Sequence, residues 1–289
     1  MRATSKSGAR TAALALGLLC VGGVAAALLF MEQGYQQGQE AYDRVADAAF
    51  QEPVRADGDP ATAEASLPDL PSVNWQALLA ENPDTVGWIY VPETKIDYPV
   101  VLSHDNDEYL YRNFSGEYAN GLQPTYGTPF LLAQNTADFS DAINIIQAHN
   151  MSNGSMFADI PGAVLADQES FDRHRVAYLL TPTYNYLLLS VAGFTCGAHD
   201  PIVRIDVQMQ EEMAVFLQEL VQKSEFEAKN PMPALEDVQK VIMLSTCTSD
   251  GTGLRLVAAY AVVAWEPAGQ GAREAWEPAG QDVPTADDE

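Results

Sequence analysis

Cys247 closes an apolar run that begins at Val241 and passes through Leu244-Ser245-Thr246, and Arg255 opens the next run, Leu254 to Val257. Far upstream, Ala142 to Gln147 leads through Ala148 into His149. A thiol, an imidazole and a guanidinium, each at the end of a strand-like segment, are the parts of thiol-based acyl transfer. The thiolate is the nucleophile, and an ordinary cysteine with a pKa of about 8.5 is mostly protonated at neutral pH. An imidazole, ordinarily near 6.5, takes that proton and later delivers it to a leaving amine. A guanidinium held beside the attacked carbonyl stabilises the negative oxygen without itself losing a proton. On this reading Cys247 attacks, His149 moves the proton and Arg255 faces the oxyanion.

Each residue also has a plainer reading. Free cysteines are commonly buried core residues, and an arginine on a terminal strand is usually a surface charge. The polar neighbours Ser245, Thr246, Thr248, Ser249 and Asp250 place Cys247 at a strand edge or loop mouth. Cys196, with His199 close by, is a rival nucleophile. Because thiol and imidazole need only meet in space, spacing leaves the two cysteines undecided. The histidines at 104, 149, 174 and 199 are scattered, and no His/Cys pair has zinc spacing, so neither metal nor other cofactor is expected.

Many short elements must position these groups. Val86 to Val91, Tyr98 to Leu102, Pro129 to Leu132, Ala142 to Gln147, Val176 to Leu180, Tyr186 to Phe194, Ile202 to Val207, Val241 to Leu244 and Leu254 to Ala264 are apolar or alternating runs between turn residues. Strands at that spacing predict a barrel or sandwich. Two helices interrupt them. Asn74 caps a short one that Asn82-Pro83 ends. Gln210 to Glu227 carries Met213, Phe216, Leu217, Leu220 and Val221 at amphipathic spacing. The domain is read as residues 74–264, enough for one core.

Ahead of it, Arg2, Lys6 and Arg10 precede an uncharged apolar stretch from Thr11 to Met31. That matches the roughly 20 residues of a membrane-crossing helix. Basic residues on its N-terminal side predict a cytoplasmic N-terminus and an external domain, with residues 1–31 as tip and uncleaved anchor. Cys20 is read as a small apolar residue of that span. Residues 32–73, rich in Gln, Ala and Asp and broken by Pro53, Pro60, Pro68 and Pro71, read as a stalk. Residues 265–289, with Trp265 to Gln270 repeated as Trp276 to Gln281, read as a disordered acidic tail.

All 40 acidic residues lie beyond the apolar stretch, where only Arg2, Lys6 and Arg10 of the 15 basic ones do not. So acidic a surface excludes nucleic acid as a partner, since phosphate binding needs clustered Lys and Arg. Two cysteines in so long an exported segment form no disulfide framework, so the fold depends on its core.

The ordered segments Asn82-Pro83-Asp84-Thr85-Val86-Gly87-Trp88-Ile89, Ile96-Asp97-Tyr98-Pro99-Val100-Val101, Asp105-Asn106 with Tyr109-Leu110, His149-Asn150-Met151 with Met156-Phe157, and Leu244-Ser245-Thr246-Cys247 with Arg255 resemble those of class B sortases. The resemblance covers roughly residues 74–264. It implies a closed eight-stranded, all-β-dominated sortase barrel with an N-terminal helix and a long helix before the cysteine strand. It also implies a membrane-anchored transpeptidase of Gram-positive bacteria. The enzyme would cut a sorting signal of secreted proteins after Thr, form a thioester on Cys247 rather than Cys196, and pass the protein to an amino group of a cell-wall precursor or pilin. Asn106, Leu110, Ser245 and Thr246 would border the substrate groove, and Asp250 is a further residue near the histidine. Three positions depart from the family pattern: Gln147-Ala148 before the histidine, Met243 opening the cysteine motif, and Leu132-Ala133 after the Gly127 to Phe130 run. Two other functions fit the same layout: a non-catalytic surface-binding module, and a protease that releases the acyl-enzyme with water.

Overall fold

The computed structural model describes residues 6–50, 67–68, 70–118, 126–203, 210–248 and 251–269. Its chain order is α1 (Lys6–Ala49), α2 (Trp75–Glu81), β1 (Thr85–Tyr90), β2 (Asp97–Leu102), α3 (Glu108–Tyr111), β3 (Phe130–Leu131), β4 (Ile143–Gln147), α4 (Gln168–Arg173), β5 (Val176–Leu180), β6 (Tyr184–Gly197), α5 (Gln210–Lys223), β7 (Val241–Cys247) and β8 (Leu254–Pro267). The eight strands close into a barrel in the order β1-β2-β3-β4-β7-β8-β6-β5. Closure gives every strand a neighbour on both sides. Two of the pairings are parallel, β2 with β3 and β4 with β7. The parallel β4–β7 pair matters most for the site, because it carries the C-terminal ends of both strands to the same rim.

The barrel core is a continuous cluster that includes Trp88, Ile89, Phe130, Ile145, Phe194, Leu244 and Tyr260, all essentially without exposed surface. Strands β4, β5 and nearly all of β7 are buried throughout. That is why their sequences read as predominantly apolar runs rather than alternating ones. Asn74 caps α2 as the sequence requires, its side chain accepting from the Ala77 N–H at 3.1 Å. On α5, Met213, Phe216, Leu217 and Leu220 are buried, while Val221 lies at the margin.

Three segments differ from their sequence reading. The helix expected to end with the apolar stretch continues to Ala49, so α1 spans 44 residues, about 66 Å at about 1.5 Å per residue. Its last turns lie on the barrel rather than forming a stalk: Tyr42, Val45, Ala49 and the following Phe50 are buried, with Phe50 edge-on to Trp88 at 4.9 Å. The prolines that suggested a linker all come after this point. The apolar run from Ile202 is no strand where it is described: Pro201–Val203 is a 3-10 turn, fixed by Asp200 accepting from the Ile202 N–H at 3.0 Å. Residues 204–207 lie outside the described residues. Finally, Trp265-Glu266-Pro267 extends β8 against Tyr186, Asn185 and Tyr184, and Ala268 is buried. The first copy of the duplicated segment therefore belongs to the barrel, and the second lies outside the described residues.

Candidate active site

The strand register brings the ends of β4 and β7 and the start of β8 to one rim. In the parallel pair, Gln147 of β4 lies opposite Ser245 of β7, and the Ala148 N–H continues the ladder to the Ser245 carbonyl at 3.2 Å. Beyond this last pairing the chain leaves β4 through Ala148 into His149, and β7 ends two residues later at Cys247. Adjacent strands are about 4.8 Å apart, within reach of two side chains. In the antiparallel pair on the other side, Cys247 lies directly opposite Arg255 of β8. The Arg255 Nη1 stands 3.9 Å from the Cys247 Sγ. Cys247 is exposed and Arg255 half-buried. The Nε of Arg255 is enclosed and has no hydrogen-bond partner.

Cys196 occupies the next strand over, opposite Arg255 on its other side. It is buried, and burial pushes its thiol up to about 11, with the Asp200 carboxylate adding to the rise. A thiol that resists ionisation in this way is a poor nucleophile at neutral pH.

His149 is fixed from both directions. Its Nε2 lies 2.7 Å from the carbonyl of Leu110, and its own carbonyl accepts from the Phe157 N–H at 2.9 Å. The next residue, Asn150, donates from Nδ2 to the Cys247 carbonyl at 3.1 Å. The Thr246 hydroxyl donates to the Ala148 carbonyl at 2.8 Å. Side-chain bonds thus tie the histidine segment to the cysteine strand on either side of the reacting groups. Asn150 was quoted in the sequence motif without a role. The Leu110 contact is made by a backbone carbonyl, which no residue type advertises.

The expected groove residues separate into two sets. Leu110 and Asn106 are half-buried near the rim. Asn106 sits in the left-handed region at φ 69°, its Oδ1 accepting from the Ala133 N–H at 2.7 Å and its Nδ2 donating to Gln134 at 2.9 Å. Ser245 and Thr246 have no exposed surface. As successive residues of β7 they point to opposite faces of the sheet, both covered, and Thr246 spends its hydroxyl on Ala148. Asp250 lies outside the described residues.

The short helix α3, which presents the Leu110 carbonyl, is pinned by a charged cluster. Arg112 pairs with Glu108 at 2.5 Å, the Tyr109 hydroxyl donates to Asp84 at 2.6 Å, and His104 lies 3.0 Å from Glu108 and 3.8 Å from Asp84. The hydrogen bond to Glu108 raises the His104 pKa above its ordinary value, more than partial desolvation lowers it. A raised folded-state pKa makes this contribution full below about 6.5 and lost as pH climbs through the raised value. Melting temperatures of wild type and His104→Gln should therefore differ more at about pH 5 than at about pH 9, by a small margin because the imidazole is largely exposed.

No family model matches the chain. The sortase B of Listeria monocytogenes serovar 1/2a is 26% identical over 222 residues, which are 77% of this chain and 86% of that protein. The solved structure of sortase B from Listeria monocytogenes is 30% identical with a TM-score of 0.54, the match covering 64% of this chain and 98% of that one. The chain belongs to the class B sortases. The crystal structure of sortase B from B. anthracis in complex with AAEK1 is 25% identical over 80% of this chain and 98% of its own, with a TM-score of 0.63. As a sortase, the protein is a cysteine transpeptidase, and its closed barrel with an N-terminal helix is the shared architecture.

The positions that depart from the sortase pattern are buried or backbone-paired. Met243 is fully enclosed in β7, Gln147 and Ala148 are buried at the end of β4, and Leu132 donates its N–H to the Ile145 carbonyl at 3.1 Å.

Proposed function

We propose that Cys247, His149 and Arg255 are the catalytic set of a membrane-anchored transpeptidase that acts on sorting signals of secreted proteins. The Cys247 sulfur attacks the carbonyl carbon following a threonine side chain, and Arg255 receives the negative oxygen through Nε and the guanidinium fork. The tetrahedral intermediate collapses as His149 protonates the departing amine, leaving a thioester on Cys247. An acceptor amine then gives its proton to His149, attacks the thioester and forms the new amide while the thiol leaves. The amine belongs to a cell-wall precursor or a pilin. Asn106 and Leu110 border the groove, whereas Ser245 and Thr246 hold the nucleophile's strand.

The observation that supports this reading is the pairing of Cys247 with Arg255, whose Nη1 lies 3.9 Å from the sulfur, at the rim where the chain leaves β4 toward His149. The apolar part of α1, long enough to cross a bilayer, supports the anchor. On this reading residues 1–31 hold the N-terminus on the cytoplasmic side, and the barrel of residues 74–264 works on the extracellular face.

The full chain in detergent, incubated with threonine-containing pentapeptides and an amine such as triglycine, should give a thioester adduct on Cys247 by mass spectrometry. A peptide–amine product should then exceed hydrolysis. Adduct with hydrolysis only would replace the transpeptidase by a protease. With no adduct for any peptide, the protein would instead be a binding module.

A further inference from the structure

We propose that the barrel-docked half of α1 positions the His149 imidazole, acting through Tyr42, the Gly127-Thr128 corner and α3, so that the helix continuous with the membrane segment belongs to the proton-transfer apparatus. This inference rests on His149 being the proton carrier in the reading above.

The contacts form an unbroken path. Tyr42 is buried, and its hydroxyl donates to the Gly127 carbonyl, with its oxygen 3.2 Å from the Thr128 Oγ1. Thr128 in turn takes hold of α3 twice: its N–H donates to the Tyr109 carbonyl at 2.9 Å and its hydroxyl to the Arg112 carbonyl at 3.0 Å. Between those two carbonyls lies that of Leu110, 2.7 Å from the His149 Nε2. A helix of four residues has no stability of its own, so its orientation is imposed by what grips it. Gly127 sits at φ +61°, and a side chain there would come within 2.5 Å of the Tyr109 oxygen and 2.9 Å of the Leu110 oxygen. The corner therefore abuts the carbonyl that holds the imidazole.

A second arm of α1 reaches the loop after the histidine. The Tyr126 hydroxyl donates to the Tyr35 carbonyl at 2.5 Å and accepts from the Asn153 Nδ2 at 2.8 Å. The Tyr126 ring fills the space beside Gly38, where an added Cβ would stand 2.1 Å from it. The Tyr42 ring meets Tyr98 edge-on at 5.5 Å, and the Tyr98 hydroxyl accepts from the Met156 N–H at 3.1 Å. Residues 126–128, which grip α3, and 153–156, which follow His149 in the chain, are thus both clamped by one helix. That same helix runs without a break from the apolar segment.

The test uses the full chain in detergent micelles and measures transfer per mole of alkylatable Cys247, below each variant's unfolding transition. Tyr42→Phe keeps the ring and removes the hydroxyl, and Thr128→Val removes the hydroxyl that holds α3. Each should lower kcat about 3- to 10-fold with KM within about twofold, the size of one lost hydrogen bond. Thr128→Ser, which retains the hydroxyl, should restore turnover. In a His149→Ala background, Tyr42→Phe should cause no further loss, because groups acting as one unit are not additive. Unchanged kcat in both single variants, or an equal loss in both backgrounds, overturns the positioning role while leaving the site intact. Full turnover in His149→Ala alone overturns the reading of the site, and the positioning role with it.

Discussion

Cys247→Ala is expected to abolish both the acyl-enzyme and the transfer product, a loss of about 10⁴-fold or more, while Cys196→Ala leaves both. The two thiols flank the same arginine on neighbouring strands, so strand position alone does not choose between them. Their surroundings do. Cys247 ends β7 in the open, with Arg255 beside it. Cys196 is enclosed, and burial holds its thiol in the protonated form up to about 11.

Geometry adds a second argument. Cys196 and Cys247 are two strand spacings apart, about 10 Å, which is too far for a disulfide or for a shared carbonyl. An alkylating agent at neutral pH should accordingly modify Cys247 and spare Cys196, seen as a mass increment that Cys247→Ala eliminates and Cys196→Ala leaves. Adduct formation that survives Cys247→Ala and disappears in Cys196→Ala would move the active site across β8.

Much of this arrangement was legible in the chain, for reasons that differ from element to element. Buried strands such as Ile143–Gln147 and Val176–Leu180 announced themselves because both of their faces are covered and they are predominantly apolar, Asn144 and Gln147 being the polar exceptions. The cysteine's exposure was read from its polar neighbours, yet two of them, Ser245 and Thr246, are fully buried. Thr246 resolves the conflict by bonding to the Ala148 carbonyl, a partner that only the parallel pairing of β4 with β7 supplies. The extension of α1 was obscured by composition, since Gln, Ala and Asp suit a linker as well as a helix. Its Tyr35, Tyr42, Val45 and Ala49 nevertheless recur with helical spacing. The Trp265 segment was hidden by the duplication itself, which suggested a tail, although a proline at the last residue of a strand is tolerated. The grip of Leu110 on His149 could not be read at all, because it belongs to a backbone carbonyl and depends on where a four-residue helix is placed.

Arg255→Lys is expected to lower kcat by about 10²-fold or more with little change in melting temperature. A lysine at this position keeps the positive charge and the reach along β8, so a purely coulombic role would survive the exchange. What it loses is the planar fork and the Nε–H, and these are the features the site singles out: Nη1 lies 3.9 Å from the sulfur, and Nε is enclosed with no acceptor. A buried donor left unpaired costs roughly 1–3 kcal/mol in the resting enzyme. That cost is recovered when a developing oxyanion arrives, which is how an interaction lowers a barrier without tightening substrate binding. Removing one such donor elsewhere costs about 3 to 4 kcal/mol of barrier, the scale of the loss expected here. Because the Nε makes no bond in the resting protein, its removal should not weaken the fold. Steady-state kinetics on the full chain, with the acyl-enzyme followed in a single turnover, separates the two roles. If acylation in Arg255→Lys proceeds at the wild-type rate, the guanidinium serves only as a charge beside the sulfur, and the oxyanion must be held by backbone amides at the barrel rim.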